Sequence, residues 1–415
     1  MKTLYYYDPE IGNFYFGQGH PMKPHRMRMA HSLIESYGLL PKLDVLSYAD
    51  AGIESDEYFT KFHSDDYIDF LSRVTPGNQA ELADLTVGFN MGEDCPIFEG
   101  LWDFCKLYTA GSIMGATALN EGKHTRAINW SGGLHHAKET EASGFCYVND
   151  CVLSIIELLR CRTRVLYLDI DIHHGDGVEE AFYNTDRVLT CSFHKFGNYF
   201  PDTGNFNDSG YGAGDGYCVD FPLLEGMDDE HYANVFVPVV DTIMNCYRPE
   251  AIVMQCGADS ISGDRLGCFN LSVKGHGTCV EFMKKFDVPM LVLGGGGYTL
   301  RNVARCWAYE TSVLVDTEVP NEIPIDDEFR GYYGPEFKLH STISNMENMN
   351  TKEYLRRNTE SLITRIKEKV QPVSPQLSAY TSDTVSGTVN WRYSSEARKA
   401  RRDREMDLDP ERREE

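Results

Sequence analysis

Short apolar segments alternate with helix-like stretches along most of this chain. Five apolar segments stand out, at residues 127–130, 165–168, 188–193, 251–256 and 289–293. Their β-branched, aromatic and aliphatic residues are typical of buried strands. Helix-like sequence lies between them, for example at residues 144–159, 230–245 and 274–286. This alternation predicts an α/β fold with a mostly parallel central sheet and helices on both faces.

Each apolar segment is followed by a glycine-rich polar stretch. These stretches are residues 131–136, 169–177, 194–197, 257–260 and 294–298. In open parallel sheets, ligands bind outside the carboxyl ends of the strands. The order of the segments therefore predicts that the polar stretches meet at one edge of the sheet and form one active site.

The stretch that follows residues 165–168 is the most informative of the five. Within eight positions it carries five ionisable side chains, which are Asp169, Asp171, His173, His174 and Asp176. Because side chains alternate along a strand, Asp169, Asp171 and His173 project to one side. Carboxylates and an imidazole that converge in this way can hold a divalent metal such as zinc. Asp176 could instead cap the next helix, but a cap needs only one of the five groups.

Adjacent histidines, His135 and His136, follow another predicted strand and two glycines. A histidine pair at the same sheet edge as a metal site is a candidate acid–base element. Asp169 and Asp176 remain available to accept hydrogen bonds from the two imidazoles and to set their tautomers.

Two further candidates follow later predicted strands. Asp259 would supply a third metal ligand beside Asp171 and His173, although it could instead cap a helix. Tyr298 ends a run of four glycines, which lacks the spacing of a nucleotide-binding loop. Glycines there would clear space beside a narrow pocket, and the Tyr298 hydroxyl could donate to a developing oxyanion.

Composition adds limits on partners and compartment. The formal net charge of −24 should repel nucleic acid phosphates and attract a lysine-rich peptide, although acidity can also serve solubility alone. The 12 cysteines are scattered singly, which favours a reducing compartment. No apolar run approaches the roughly 18 residues of a membrane span.

The end of the chain differs from the rest. Aliphatic residues become sparse from about Glu368 onward, and residues 397–415 are almost wholly charged. We expect a catalytic domain at residues 1–370 and a disordered or solvated tail at residues 371–415. An Arg/Lys cluster in the tail is a weak match to a nuclear localisation signal.

Several collinear motifs resemble those of the class I histone deacetylases. They are SGGLHHAK at residues 131–138, GFCYVND at 144–150, DIDIHHGDG at 169–177, QCGAD at 255–259, GDRLGCFN at 263–270 and the stretch 294–305, with GHPMKPHR at 19–26 and GEDCP at 92–96. The likeness covers roughly residues 3–370. It implies a single arginase/deacetylase-like α/β domain that removes acetyl groups from lysine with one zinc ion. It also implies acetylated histone tails as substrates and corepressor subunits as partners. The expected location of the protein is the nucleus, and a location in the cytoplasm as well stays open.

The resemblance implies a role for each matching residue. The implied zinc ligands are Asp171, His173 and Asp259, and the implied catalytic residues are His135, His136, Asp169, Asp176 and Tyr298. His136, paired with Asp176, would be the general base and acid, and Tyr298 would polarise the carbonyl. The implied acetyl-lysine tunnel is lined by Gly144, Phe145, Phe200 and Leu266, with Asp94 at its rim. Arg26 and Cys146 resemble an internal acetate pocket.

Three more sites rest on the same resemblance. One monovalent-cation site (K⁺ or a similar ion) would use Asp169, Asp171, His173, Ser192 and Phe193. A second would use Phe182, Thr185, Val188 and Tyr217. A basic groove that binds inositol phosphate between enzyme and corepressor would use Lys23, Arg265 and Arg301, although Arg265 could merely pair with Asp264.

Departures from the family pattern lie mainly where we expect the surface. Asp202 stands where glycine is usual, and Ala213 and Asp215 replace a usual pair of lysines. The tail lacks the lysine-rich segment common in the family. These changes bear on peptide preference, partner surfaces and nuclear import, and not on the chemistry.

Two other classes of function compete with a zinc deacetylase. A ureohydrolase-type di-manganese hydrolase also uses paired Asp and His ligands after strands, but it would need more of them beside the metal. A corepressor scaffold with a vestigial site is a non-enzymatic reading, disfavoured because every catalytic position is filled.

Overall fold

The computed structural model describes residues 2–51 and 56–372. The expected tail therefore lies almost wholly outside the described residues, as does the weak localisation signal within it. None of the helices in the described ranges is both long and apolar enough to cross a membrane.

An eight-stranded sheet runs through the centre of the described chain, in the order β2-β1-β3-β8-β7-β4-β5-β6. The strands are β1 (Thr3–Tyr6), β2 (Leu43–Leu46), β3 (Arg126–Asn129), β4 (Val165–Asp169), β5 (Val188–Lys195), β6 (Cys218–Leu223), β7 (Ala251–Gln255) and β8 (Met290–Leu293). Every pair of neighbouring strands is parallel. The predicted sheet is thus confirmed, and it is parallel throughout.

Helices cover both faces of this sheet. They are α1 (His25–Ser36), α2 (Asp65–Arg73), α3 (Ala83–Gly88), α4 (Leu101–Asn120), α5 (Asp150–Leu158), α6 (Asp176–Phe182), α7 (Asp229–Tyr247), α8 (Val273–Lys284), α9 (Leu300–Leu314) and α10 (Lys352–Lys369). Along β4, Val165 and Tyr167 pack in one core with α5 and α6. Leu166 and Leu168 point the other way, into a core that includes α1, α7, α8 and α9. The strands are apolar on both sides because helices bury both faces.

The sequence analysis predicted five of the eight strands of this sheet. The five predicted strands correspond to β3, β4, β5, β7 and β8. The sequence analysis did not identify β1, β2 or β6. β6 contains Asp220 and Pro222, and proline has no N–H to donate to a neighbouring strand. The sequence of β6 therefore does not indicate a strand.

The helix predicted at residues 144–159 was wrong at its start. The helix begins only at Asp150, and the side chain of Asn149 caps it by accepting from the backbone N–H of Val152 at 3.0 Å. Gly144 and Phe145 have φ angles of +51° and +67°, which a right-handed helix does not allow. Residues 144–149 therefore form a loop, and that loop faces the candidate site.

Candidate active site

The loops after four adjacent strands, β3, β8, β7 and β4, carry the candidate site. The loop after β4 extends the strand beyond Asp169, which pairs with Gln255 at the end of β7. β8 lies between β7 and β3, so the glycine run after β8 lies next to the loop that carries the two histidines. The chain leaves these strands at one edge, as the sequence predicted.

Three of the predicted metal ligands converge there. The Nδ1 atom of His173 lies 3.1 Å from Oδ1 of Asp171 and 3.1 Å from Oδ2 of Asp259. Both carboxylates are fully buried, and His173 is 7% exposed. A single ring nitrogen carries at most one hydrogen, so it cannot donate well to both carboxylates. A cation between the three groups would satisfy all of them.

Two glycines make room for this arrangement. A Cβ atom at Gly257 would lie 1.9 Å from Oδ2 of Asp171, and one at Gly296 would lie 1.9 Å from Oδ2 of Asp259. The Gly296 N–H and the Gln255 side-chain amide each donate to Oδ2 of Asp171 at 2.8 Å. The backbone is thus built around the two carboxylates, and no larger residue fits at either glycine.

The electrostatics of this cluster suit a bound cation. Burial and the neighbouring Asp171 carboxylate raise the pKa of Asp259, because two negative groups share a site away from water. Two carboxylates and one imidazole are a donor set that zinc accepts. Asp259 is not the cap of the short turn that contains it, since the capping position is Gly257. The residues present therefore fit a divalent metal.

The two histidines form separate pairs with carboxylates. Nδ1 of His135 lies 2.7 Å from Oδ2 of Asp169, and Nδ1 of His136 lies 2.7 Å from Oδ1 of Asp176. The two Nε2 atoms are 3.0 Å apart, so the imidazoles face each other. Because the carboxylates accept from Nδ1–H, both Nε2 atoms are turned toward the centre of the site.

The two pairs differ in charge. Burial alone would lower the pKa of His135, but the carboxylates of Asp169 and Asp171 outweigh it and raise that pKa. Burial and the neighbouring charge of His135 lower the pKa of His136. The site therefore combines a charged imidazole with a neutral one, and the neutral one can take up a proton.

Two buried residues at the start of α5 hold the histidine loop. Oδ1 of Asp150 accepts the backbone N–H of Leu134 at 2.8 Å, and Oδ2 accepts that of Gly133 at 2.9 Å. The Asn149 amide donates to the carbonyl of His135 at 3.0 Å. These bonds satisfy the backbone of the loop and orient both rings.

Tyr298 lies next to the metal-ligand cluster. Its ring makes edge contacts with His173 and Phe145, at centroid distances of 6.5 and 5.7 Å. Burial and the nearby Asp259 and Asp171 carboxylates raise the pKa of its hydroxyl well above the usual range. The hydroxyl thus stays protonated and can donate a hydrogen bond into the site.

The residues predicted to line a tunnel lie beside these groups. The Phe200 ring contacts His136 at a centroid distance of 4.9 Å, and a Cβ at Gly144 would lie 2.8 Å from that ring. Phe200 and Leu266 are 44% and 37% exposed, so they lie at the mouth of the site. The exposed Asp94 is linked to this mouth through its carbonyl, which accepts from Nε2 of His20 at 3.1 Å.

Arg26 and Cys146 lie behind the cluster and are both buried. The Arg26 guanidinium donates to the carbonyls of Gly295 and Gly297 at 2.6 and 2.7 Å, so it supports the glycine run before Tyr298. The Cys146 thiol donates to the carbonyl of Gly144 at 3.3 Å. Within residues 2–51 and 56–372, no hydrogen bond joins the two side chains directly.

The two predicted monovalent-cation sets each occupy one region. In the first set, Asp169 on β4 pairs with Ser192 on β5. In the second set, the Thr185 N–H donates to the Phe182 carbonyl at 3.2 Å, and Tyr217 adjoins the start of β6. These contacts place Asp169 beside Ser192 and Thr185 beside Phe182.

Contacts of Arg265 and Arg301 locate two of the three residues predicted for the basic groove. Arg265 donates to the carbonyl of Gly19 at 3.2 Å, in the loop that leads to Lys23. Arg301 lines a cavity of about 310 Å³ together with Gly263. In the described ranges no ion pair joins Arg265 to Asp264, whose carboxylate instead accepts backbone N–H groups. The simple pairing considered for Arg265 is therefore not observed.

The sequence analysis assigned no part in the candidate site to four residues that lie beside it: Gln255, Asp264, Lys138 and Tyr199. Lys138 forms an ion pair with Asp176, and the Tyr199 ring stacks on His173 at a centroid distance of 5.1 Å. Oδ2 of Asp264 accepts the Tyr298 backbone N–H at 2.7 Å. Lys138, Gln255 and Asp264 lie inside quoted motifs, but the motifs did not predict the contacts that these residues make here.

The departures from the family pattern lie at the surface, as expected. Asp202 is exposed and has a φ of +62°, a conformation that favours glycine. Asp215 forms an ion pair with Lys369 at 2.9 Å, which ties its loop to the end of α10.

The sequence of this chain is similar to a known protein family and to several named proteins. A family model described as "Histone deacetylase domain" matches residues 20–314. The chain is 56% identical to "Histone deacetylase 1" of Homo sapiens over 384 residues, which are 92% of this chain and 79% of that protein. It is 54% identical to "Histone deacetylase HDAC1" of Drosophila melanogaster over 385 residues, 93% of this chain and 73% of that protein. It is 57% identical to "Type-1 histone deacetylase 1" of Dictyostelium discoideum over 354 residues, 85% of this chain and 71% of that protein.

Proposed function

The chain belongs to the histone deacetylase family as a class I lysine deacetylase, and we propose that it hydrolyses N6-acetyl-lysine with one zinc ion held by Asp171, His173 and Asp259. The donor set supports this proposal, since the His173 imidazole lies 3.1 Å from each of the two carboxylates. When bound, the metal would supply Lewis acidity toward the amide carbonyl and the attacking water.

Side chains of the protein would perform the proton transfers and stabilise the developing charge. Nδ1 of His136 donates to Asp176, so Nε2 is available to take a proton from water and later pass it to the leaving amine. His135, charged beside Asp169, would stabilise negative charge that develops next to it. Tyr298 would donate its hydroxyl hydrogen to the carbonyl oxygen as that oxygen gains charge.

One observation carries the proposal. Two imidazole–carboxylate pairs, with Nε2 atoms 3.0 Å apart, lie in the same pocket as a three-donor metal group. Zinc-loaded protein should therefore release acetate and a free lysine amine from an acetylated histone peptide. Failure to release acetate, with folded and metal-loaded protein, would reject the proposed activity.

The substrate and cellular setting follow from the relatives and from charge. Proteins similar to this chain are named histone deacetylases, which implies acetylated histones as substrates and a nuclear protein. The net charge of −24 would attract lysine-rich histone tails and repel the DNA around them. We propose that the chain represses transcription within a corepressor complex, as class I members do.

The arrangement of donors at the candidate site disfavours the ureohydrolase alternative. The donor group at this edge of the sheet has three members, and His135 is engaged by Asp169. A second metal beside the first would need further carboxylate or imidazole donors in reach of both ions.

The basic groove gives a separate prediction about regulation. Because a polyanion can bridge two basic surfaces through charge-assisted hydrogen bonds, inositol phosphate should raise activity in the presence of a corepressor domain. Replacing Lys23, Arg265 and Arg301 together by alanine should abolish that stimulation and spare basal turnover. The measurement is turnover with and without the corepressor domain and inositol phosphate.

A matched control replaces Arg73, Lys123 and Arg160, three exposed basic residues on other parts of the surface. This variant should be stimulated like the wild type. Stimulation that survives in the Lys23, Arg265 and Arg301 variant would show that the groove is not the binding site.

A further inference from the structure

A buried histidine–glutamate pair lies directly behind the loop that carries Asp259. His276 on α8 and Glu310 on α9 are both 0% exposed. Nδ1 of His276 lies 2.6 Å from Oε1 of Glu310, and Nε2 lies 2.9 Å from the carbonyl oxygen of Gly257. The pair thus joins two helices to the loop after β7.

Both partners of the His276 ring are acceptors when Glu310 is ionised. A carbonyl oxygen and a carboxylate oxygen can only accept, so both ring nitrogens must carry hydrogen and the ring is an imidazolium. Burial opposes this charge, but the Glu310 carboxylate outweighs it and raises the pKa of His276. The bond to Gly257 is therefore charge-assisted, and such bonds are shorter and stronger than neutral ones.

The carbonyl that His276 holds belongs to the backbone around the proposed metal ligands. The Gly257 N–H is held by the Gln255 side chain at 2.8 Å, and the Gln255 amide also donates to Asp171. The Ala258 N–H donates to the Gly296 carbonyl at 2.9 Å. The Gly296 N–H in turn donates to Asp171. Movement of the Gly257 peptide would therefore disturb both carboxylates.

The same residues do not make a second metal site. Cys306 lies beside them, with its sulfur 3.4 Å from Nδ1 of His276. Ligands about 2.0–2.3 Å from one tetrahedral ion lie more than about 3 Å apart. The 2.6 Å between His276 and Glu310 is instead the length of a hydrogen bond.

We propose that His276 and Glu310 are positioning residues, which fix the Gly257 carbonyl and thereby set the affinity of the Asp171, His173 and Asp259 group for its metal. The inference rests on the proposed zinc site and deepens it. Neither side chain touches substrate or metal. Partners of this kind behind metal ligands typically change metal affinity by about 10–100-fold.

The test measures zinc affinity rather than activity, by competition with a chelator. The double variant His276→Leu/Glu310→Leu removes the hydrogen bond to Gly257 and leaves no charge buried without a partner. We expect it to bind zinc about 10–100-fold more weakly than the wild type. Glu310→Gln should recover most of the affinity, because a glutamine amide can donate to Nδ1 and leave Nε2–H on Gly257.

Thr311→Val provides a control on the same helix. It removes a buried hydrogen bond from Trp130 to Thr311, 3.0 Å long, without touching Gly257. It should lower Tm and leave the zinc Kd unchanged. A folded double variant with the wild-type zinc Kd would overturn the positioning role.

A measurement on the intact wild type covers the case in which the double variant does not fold. NMR of ¹⁵N-labelled histidine should show Nε2 of His276 protonated near neutral pH, and an Nε2 without hydrogen would contradict the proposal. Wild-type protein that binds no zinc would overturn the metal centre, and this inference with it. If the wild type bound zinc and the double variant bound it with the same Kd, only the positioning role of His276 and Glu310 would be overturned.

Discussion

Replacing His136 by alanine should lower deacetylation by roughly 10²–10⁴-fold, because a positioned general acid–base group typically contributes that much. His136 is the neutral imidazole of the pair, since burial and His135 lower its pKa. Nδ1 is held by Asp176 at 2.7 Å, which aims Nε2 at the centre of the site. The variant should keep its metal, because His136 is not among the three grouped ligands.

The measurement is kcat/KM on an acetylated peptide, with the metal content of the same sample. His124→Ala is a matched control, because His124 precedes β3 at the opposite edge of the sheet and pairs with Asp44 at 3.0 Å. It should retain wild-type turnover. Near-normal deacetylation by the His136 variant would remove His136 from the mechanism, and loss of metal would make it a ligand instead.

Replacing Tyr298 by phenylalanine should cost about 2.7–4 kcal/mol of transition-state stabilisation, the value of one oxyanion donor. The ring contacts with Phe145 and His173 would remain, so the shape of the site should not change. The lost group is a hydroxyl kept protonated by burial and the nearby carboxylates, which raise its pKa. We expect kcat to fall far more than KM rises.

Tyr354→Phe is the corresponding control on α10, where the hydroxyl donates to the Pro222 carbonyl at 2.7 Å. It should change stability slightly and leave kcat alone. If Tyr298→Phe had a kcat close to that of the wild type, the hydroxyl would not be the donor that stabilises the oxyanion.

The fold was predictable where local sequence and buried position agreed. β4 and β5 are apolar runs buried on both faces, so their composition alone identifies them. The start of α5 was predicted too early, because contacts with the site, and not local sequence, set the conformation of residues 144–149. The positive φ values of Gly144 and Phe145 place that loop against His136 and Phe200.

The candidate site was predictable where its chemistry lay within one segment. The alternation of Asp169, Asp171 and His173 placed three groups on one side of the chain, and the structure brings Asp259 to them. The residues that hold these groups in position come from distant parts of the chain. His276, for example, reaches Gly257 only because α8 and α9 pack behind β7. Such contacts depend on tertiary packing, which no local pattern reveals.

Zinc titration of metal-free protein, with acetate release followed at each point, tests the central claim most directly. One group of three donors should fill with one zinc ion, so turnover on an acetylated histone peptide should rise linearly and level off at one zinc per chain. Activity that requires two manganese ions per chain, or that is indifferent to zinc, would contradict the account.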